Sequence, residues 1–162
     1  MLGVGQGYRP GLLGWTVARH GEYYAAKWGF GRYFEAKVGA EMSDFLSRVD
    51  DPGNHLFWVA DDTGPVATLS LDGGDSEEGL AHLRWFFASD AARGQGIGQR
   101  LLEAAISAAK GDGAAGIFLW TFNGLDAARR VYEKSGFRQV RETEDTTWGI
   151  AVTEQRFELR FT

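Results

Sequence analysis

Hydrophobic residues recur at helical spacing in the first third of the chain. From Leu12 to about Trp28 they form one stripe, which comprises Leu13, Val17, Tyr24 and Trp28. A second stripe, spaced i, i+4, i+8 and i+11, comprises Phe34, Val38, Met42 and Phe45. Such spacing predicts two amphipathic helices. The second should end before the turn sequence at residues 50–53, Asp-Asp-Pro-Gly.

Beyond this turn the hydrophobic period shortens to that of strands. Strands are predicted over residues 55–60, 65–71 and 80–88, with 61–64 as a hairpin turn. The acidic stretch 72–79 is predicted to be a solvated loop. In the third strand, alternation places three large side chains on one face, namely Leu83, Trp85 and Phe87.

The second half of the chain alternates between helices and strands. A helix is predicted over about 96–110, and 117–121 is apolar on both faces, as a strand covered on both sides should be. In the next helix Asn123 is a candidate N-cap and Gly136 a candidate left-handed residue just past the end. The tail 152–161 alternates as a strand does.

These elements predict one compact domain over residues 1–162, of the α/β or α+β class with a mixed sheet. A chain of this length can enclose a substantial core. No run of about 18 apolar residues is present, so we expect no membrane span. The N-terminus lacks the basic and apolar regions of a secretory signal, and a cytoplasmic location is the default expectation.

Composition excludes several kinds of chemistry. The chain has no cysteine, which rules out disulfides, a thiol nucleophile and cysteine-ligated zinc. Three scattered histidines suggest no metal site. The net charge of −5 argues against nucleic acid as the main partner.

The strand-to-helix connection at residues 88–100 is the most informative stretch. Its apex carries Gly94, Gly96 and Gly98. Glycine lets a ligand approach the backbone closely, and a helix N-terminus offers free N–H groups to an anion. A diphosphate suits such a place, and Arg93 and Arg100 add positive charge.

The spacing of this loop narrows the class of ligand. The chain contains no P-loop, and in Gly94–Gln99 the third glycine comes one position too early for the dinucleotide fingerprint. The loop does fit R-x-x-G-x-G with Arg93, Gly96 and Gly98. This pattern resembles the acetyl-CoA pyrophosphate loop of the GNAT superfamily. A glycine-rich connection without a ligand is the alternative.

A second motif follows in the order that GNAT proteins show. After a helix and a strand, their next helix carries a tyrosine and ends in Gly-Phe. Here the pattern A-x-x-x-Y-E-K-x-G-F comprises Ala128, Tyr132, Glu133, Lys134, Gly136 and Phe137. The resemblance covers at least residues 80–139. Residues 8–15, 19–22, 119–121 and 125–129 also look like the acetyltransferase half of bacterial MarR–GNAT fusion proteins, although DNA binding does not carry over.

The resemblance implies a GNAT fold, with a mostly antiparallel twisted sheet of six to seven strands and about four helices. It also implies acetyl-CoA as cosubstrate and no metal. The pantetheine arm would pair with the backbone of Phe87 and Ala88. The residues implied to hold the rest of the donor are Arg93, Gly94, Gln95, Gly96, Ile97, Gly98, Asn123 and Ala128. Leu125 replaces an asparagine that many GNAT helices carry, and Asn123 is a candidate substitute.

Tyr132 matches the family tyrosine that protonates the departing thiolate. A base must also take a proton from the amine, because a free alkyl amine with a pKa near 10 is mostly charged at neutral pH. Strand 80–88 carries no carboxylate, so the base is not identified. The candidates are His20, Glu22, Glu35 and Glu154. A hydrogen-bonded structural histidine is the preferred interpretation of His20.

The sequence therefore predicts an N-acetyltransferase in which an amine attacks acetyl-CoA directly within a ternary complex. The acceptor, a small molecule or a peptide, is not identified, and a homodimer is possible for this fold. A catalytically silent acyl-CoA-binding sensor is the alternative from another class. An unrelated nucleotide-binding domain is a third hypothesis.

Overall fold

The computed structural model describes all 162 residues, which form four α-helices and seven strands. The helices are α1 (Leu12–Trp28), α2 (Arg32–Ser47), α3 (Ile97–Gly111) and α4 (Asp126–Lys134). The strands are β1 (Gly5–Gln6), β2 (Asn54–Asp61), β3 (Gly64–Glu77), β4 (Leu80–Ala88), β5 (Gly116–Phe122), β6 (Arg138–Asp145) and β7 (Val152–Arg160). A 3-10 turn, Asp90–Ala92, precedes α3.

The strands form one sheet in the order β1-β2-β3-β4-β5-β7-β6. Only β4 and β5 run parallel, and every other neighbouring pair is antiparallel. The predicted fold class, a mixed and mostly antiparallel sheet with about four helices, is therefore confirmed.

Helices cover both faces of this sheet. The largest hydrophobic cluster joins α3 and α4 to one face, and Leu69, Leu83 and Leu119 contribute from three strands. Two smaller clusters join α1 and α2 to the other face and include Phe45 and Phe34. No helix combines the length and the apolar character needed to cross a membrane.

Strand β3 extends through Glu77, so the predicted loop over 72–79 is wrong. The strand irregularity after Asp72 is stabilised by Asn54, whose side-chain oxygen accepts hydrogen bonds from the N–H groups of Gly73 and Gly74 at 2.9 and 3.2 Å. Glu78, at φ 53°, and the following glycine make the turn into β4. Acidic residues here are tolerated because arginines elsewhere in the chain pair with them.

The prediction that Leu83, Trp85 and Phe87 lie on one face of the sheet is wrong, because β4 contains a bulge. Thr68 of β3 pairs with Phe87 but Ser70 pairs with Arg84, so β4 has one extra residue. Trp85 has φ 49°, which is uncommon for a large side chain. Leu83 consequently packs towards α3, whereas Trp85 contacts Phe45 of α2 and Phe87 contacts α1.

The buried line of α1 is displaced by one residue from the predicted stripe. Leu12, Thr16 and His20 are buried, and Leu13 and Val17 are half-buried beside them. The second predicted stripe is confirmed, since all four of its residues are buried.

The N-terminal segment and the start of α4 also differ from the prediction. The sequence predicts no strand before α1, yet β1 pairs with Phe57 and Trp58 of β2. Asn123 is not an N-cap. Its backbone N–H donates to the Thr153 carbonyl at 2.9 Å, which prolongs the β5–β7 pairing, and α4 begins only at Asp126 without a side-chain cap. Gly136, at φ 96°, does follow the helix as predicted.

Candidate active site

Strands β4 and β5 separate soon after they meet. They pair only at three positions, from Leu80 opposite Gly116 to His82 opposite Phe118. Beyond His82 the strand β4 runs on to Ala88 with β3 as its only partner, while β5 continues to pair with β7. Backbone groups along one side of residues 83–88 therefore face a wedge-shaped gap and are free to bind a ligand.

The glycine loop lies at the end of β4 that borders this gap. Gly94 and Gly96 have φ of 74° and 67°, and no atom lies within 4 Å of the position that a Cβ would take on either. The N–H groups of Gly94, Gln95 and Gly96 donate no hydrogen bond within the chain, and no side chain caps the N-terminus of α3. Free N–H groups and a helix N-terminus suit a diphosphate.

The two arginines beside the loop differ in availability. Arg93 is exposed and pairs with exposed Asp90 at 3.2 Å, so its guanidinium can be recruited by an anion. Arg100 donates to the carbonyl of Leu2, so its guanidinium is already engaged by the N-terminal segment. Of the two charges expected from the sequence, only that of Arg93 is available.

Tyr132 of α4 borders the same gap from the α3 side of the sheet. Its ring lies 5.9 Å from Phe86 of β4 and 6.1 Å from Phe157 of β7, measured between centroids. Phe86 also lies under the glycine loop, since a Cβ on Gly98 would be 3.2 Å from its Cζ. Phe86 therefore connects the loop to the tyrosine.

The Tyr132 hydroxyl is protonated and unpaired. The side chain is 5% exposed, and its hydroxyl makes no hydrogen bond within the chain. Burial raises the pKa of Tyr132 well above its ordinary value, and neighbouring Tyr24 adds to the effect. Tyr24 belongs to α1 on the other side of the sheet, so this effect acts across the gap.

Helix α1 closes the gap on its other side with aromatic rings. Phe87 at the end of β4 lies 5.5 Å from His20, and Phe122 at the end of β5 lies 5.6 Å from Tyr24. His20 and Tyr24 are themselves stacked at 6.0 Å. One turn of α1 thus links the two separated strands.

The four candidate bases lie in different surroundings. Glu22 is exposed and pairs with Arg19 at 2.9 Å, and Glu35 is exposed on α2 against Gly21. Glu154 lies on β7 opposite Phe122, where burial, with neighbouring Asp145, raises its pKa. Only His20 is both buried and adjacent to the end of β4. No three ligand-type side chains are grouped to hold a metal ion.

The remaining residues predicted for the donor site fall around the loop and α4. Ala88 ends β4 and is half-buried, Ile97 is buried under the start of α3, and Gln95 donates to the Ala91 carbonyl at 2.8 Å. Ala128 is half-buried on α4, and Asn123 is exposed before that helix. The sequence does not single out Phe86 for the site, and it favours a core role for Tyr24 over an acceptor pocket. The hydrophobic pattern does not predict the bulge in β4 that orients Phe86.

The sequence matches a family of known proteins over most of its length. Residues 20–137 match the model of the acetyltransferase (GNAT) family. N-acetylaspartate synthetase of Danio rerio is 29% identical over 125 residues, which is 77% of this chain and 44% of that protein. The chain spans about half the length of the curated relatives that it matches.

Solved structures share the whole fold at low identity. Ribosomal-protein-alanine N-acetyltransferase from Brucella melitensis superposes with a TM-score of 0.78 at 15% identity, over 99% of this chain and 100% of that one. The yncA protein from Salmonella typhimurium, solved with its cofactor acetyl-CoA, gives 0.77 at 12% identity, over 100% and 95% of the two chains.

Proposed function

The chain belongs to the GNAT acetyltransferase family, and we propose that it transfers an acetyl group from acetyl-CoA to an amine. The observation that carries this proposal is the alignment of three features along one gap in the sheet. They are the unpaired side of β4, the uncapped glycine loop at its end, and the buried hydroxyl of Tyr132.

Each part of the donor has a fitting place in this arrangement. The N–H groups of Gly94, Gln95 and Gly96, with the start of α3, suit the diphosphate, and Arg93 adds charge that a neighbouring carboxylate holds in place. The backbone groups of Ala88 face the gap and suit the amides of the pantetheine arm, whereas those of Phe87 are on the side of β4 that pairs with Thr68 of β3. Acetyl-CoA supplies the acetyl group as an activated thioester.

Tyr132 has the properties of the acid that this reaction needs. A tyrosine hydroxyl, with an ordinary pKa near 10, is protonated at neutral pH, and burial raises the pKa of Tyr132 further. Its proton is not committed to any partner in the chain. In the proposed transfer the amine nitrogen bonds to the acetyl carbon and the carbon–sulfur bond breaks. The sulfur takes the Tyr132 proton, and the nitrogen loses one. A positioned acid of this kind contributes about 10²–10⁴-fold to a rate.

The kind of transfer is also constrained by composition. With no cysteine in the chain, no thiol can carry the acetyl group between donor and acceptor. We therefore propose direct attack in a ternary complex. The acceptor is proposed to be a small molecule or a peptide that presents a neutral amine.

Three finer proposals rest on the sequence. They are kinship with the acetyltransferase half of MarR–GNAT fusions, a cytoplasmic location, and a homodimer. The exposed outer strand β6, which carries Val140 at 54% exposure, offers one surface for such a dimer. Sedimentation at several protein concentrations tests the dimer.

The function is tested by following CoA release from acetyl-CoA with a panel of primary amines. The wild type is compared with Tyr132→Phe, which keeps the ring and its contacts with Phe86 and Phe157. We expect turnover with at least one amine and a fall in kcat of about 10²-fold or more in the variant. Tight binding of acetyl-CoA without turnover of any amine would instead identify a silent acyl-CoA sensor.

A further inference from the structure

His20 is a buried, partly unpaired side chain beside the reacting end of the gap. It is 5% exposed, on the buried line of α1. Its Nδ1 lies 2.8 Å from the carbonyl oxygen of Thr16, one turn earlier on the same helix. Its Nε2 has no hydrogen-bond partner in the chain. Nε2 is not fully enclosed, since the only fully buried side-chain atoms without a partner are Nε of Arg19 and Oγ of Ser70. It therefore remains in contact with open space.

The Thr16 carbonyl determines which tautomer His20 adopts. A carbonyl oxygen can only accept, so Nδ1 must carry a proton to donate to it. The remaining nitrogen, Nε2, then presents a lone pair as long as the ring is neutral. Burial lowers the pKa of His20 to about 4, although the Thr16 bond opposes this shift, so the ring is neutral at physiological pH. The helix thus supplies a fixed hydrogen-bond acceptor.

The rings that pack against His20 belong to residues that border the gap. Phe87 lies at 5.5 Å on one side and Tyr24 is stacked at 6.0 Å on the other. Phe87 belongs to the strand end where the donor arm is proposed to bind, and Tyr24 raises the pKa of Tyr132 from the other side of the gap. His20 and the proposed acid therefore lie on opposite faces of the sheet, at the same opening.

We propose that Nε2 of His20 accepts the proton that the acceptor amine loses as its nitrogen bonds to the acetyl carbon. This inference rests on the proposed function and supplies the base for the proton that the nitrogen releases as it bonds to carbon. The nitrogen–carbon bond forms, the carbon–sulfur bond breaks, Tyr132 protonates the sulfur, and His20 takes the nitrogen's proton. The imidazolium then passes this proton to solvent, and the phenolate takes one back, which restores both groups.

A weakly basic imidazole is adequate for this step. The amine nitrogen becomes far more acidic once it has bonded to carbon, so the base need not deprotonate a free ammonium ion. Before attack, the neutral Nε2 orients the nitrogen by accepting a hydrogen bond from its N–H. The acceptor class that this geometry selects is an amine that arrives uncharged. An exposed carboxylate such as Glu22 has neither this burial nor this position.

Two substitutions separate the roles of the two ring nitrogens. His20→Asn keeps a polar group near the Nδ1 position, facing Thr16, but has nothing at the position of Nε2. His20→Gln extends an amide to the Nε2 position, where its oxygen can accept. We expect kcat with an active amine to fall about 10²-fold in the Asn variant. The Gln variant should regain only the part of this loss that is due to orientation, because an amide oxygen accepts a hydrogen bond but not a proton. A Gln variant with the wild-type kcat would show that Nε2 orients the amine without taking its proton. The Kd for acetyl-CoA should match the wild type in both. Both should keep a cooperative thermal transition, at a lower melting temperature because a buried ring has been replaced.

A spectroscopic measurement tests the tautomer independently of activity. In ¹⁵N-edited NMR of the wild type at neutral pH, His20 should show a protonated Nδ1 and an unprotonated Nε2. A proton on Nε2 would overturn the inference, as would an Asn variant with the wild-type kcat. If the wild type acetylates no amine at all, the proposed function fails first and this inference fails with it, so the two failures are distinguishable.

Discussion

Substituting Arg48 by methionine should destabilise the fold strongly at neutral pH and weakly in acid. Arg48 donates from both terminal nitrogens to the carboxylate of Asp72, at 3.1 and 3.0 Å. The Asp72 side chain is 0% exposed, and Arg84 is its only other cationic partner, at 3.6 Å. Methionine keeps most of the apolar stem of Arg48 but leaves the carboxylate with one distant charge.

The size of the loss follows from this geometry. Removing one partner of a buried ion pair costs about 3–5 kcal/mol. Arg84 remains, and the Arg48 side chain is 30% exposed, so we expect the lower end, about 3 kcal/mol. For a domain of this size that corresponds to a fall in Tm of about 6–12 °C.

The pH dependence gives the sign of the effect. Burial alone would raise the pKa of Asp72, but the hydrogen bonds and charge of Arg48, with the charge of Arg84, outweigh it and hold that pKa below its usual value. A carboxyl group with a depressed pKa stabilises the fold above its unfolded pKa, and the contribution is lost as the pH falls through the folded value. The difference between wild type and variant should therefore shrink in acid.

Thermal denaturation followed by circular dichroism measures both effects. Arg160→Met is the control, because that arginine is 55% exposed and its loss should change stability by less than about 1 kcal/mol. Equal destabilisation by the two substitutions at pH 7 would refute the argument. So would a loss in the Arg48 variant that stays undiminished as the pH is lowered.

Three further predictions follow from single positions. Gly96→Val should weaken acetyl-CoA binding by about tenfold in calorimetry. A branched side chain at φ 67° costs about 1–2 kcal/mol and displaces the free N–H groups. An unchanged Kd would show that the loop is not part of the donor site. Gly116→Ala should lower the free energy of unfolding, measured in urea, by about 1–3 kcal/mol, since its Cβ would overlap the Leu159 carbonyl. Gly111→Ala is the control and should not destabilise the fold, because the space around Gly111 is open. Glu154→Gln should raise Tm slightly at pH 7. The pKa of Glu154 is raised in the folded state, so the fold loses stability as the pH rises through that value and the carboxyl ionises. Glutamine stays neutral and avoids this loss. The gain should vanish below about pH 4, where the unfolded group is also protonated, and a gain that persists there would contradict the assignment.

Local patterns predicted most of the elements. The spacing of Phe34, Val38 and Met42 identified α2 and its buried face. Gly136 marked the end of α4 because a left-handed residue is needed there. The loop and tyrosine motifs predicted a donor site, and the structure brings Gly98 and Tyr132 to the same phenylalanine.

The features that the sequence did not predict depend on contacts between distant residues. The β4 bulge arises from its register with β3, and a run such as Arg84-Trp85-Phe86-Phe87 reads equally well without it. From sequence alone, acidic Asp72 is predicted to lie in a loop, because the pattern does not show that Arg48 neutralises it. His20 was interpreted as structural, and the position that suggests another role is set by Phe87, far along the chain.

Transfer of a labelled acetyl group tests the central claim most directly. The protein is incubated with acetyl-CoA deuterated in its acetyl group, together with the amine panel, and the products are weighed by mass spectrometry. We expect the label to appear on an amine nitrogen in step with CoA release, and Tyr132→Phe to slow both alike. Label that stays on CoA while the protein binds it tightly, or label that accumulates on the protein itself, would contradict it.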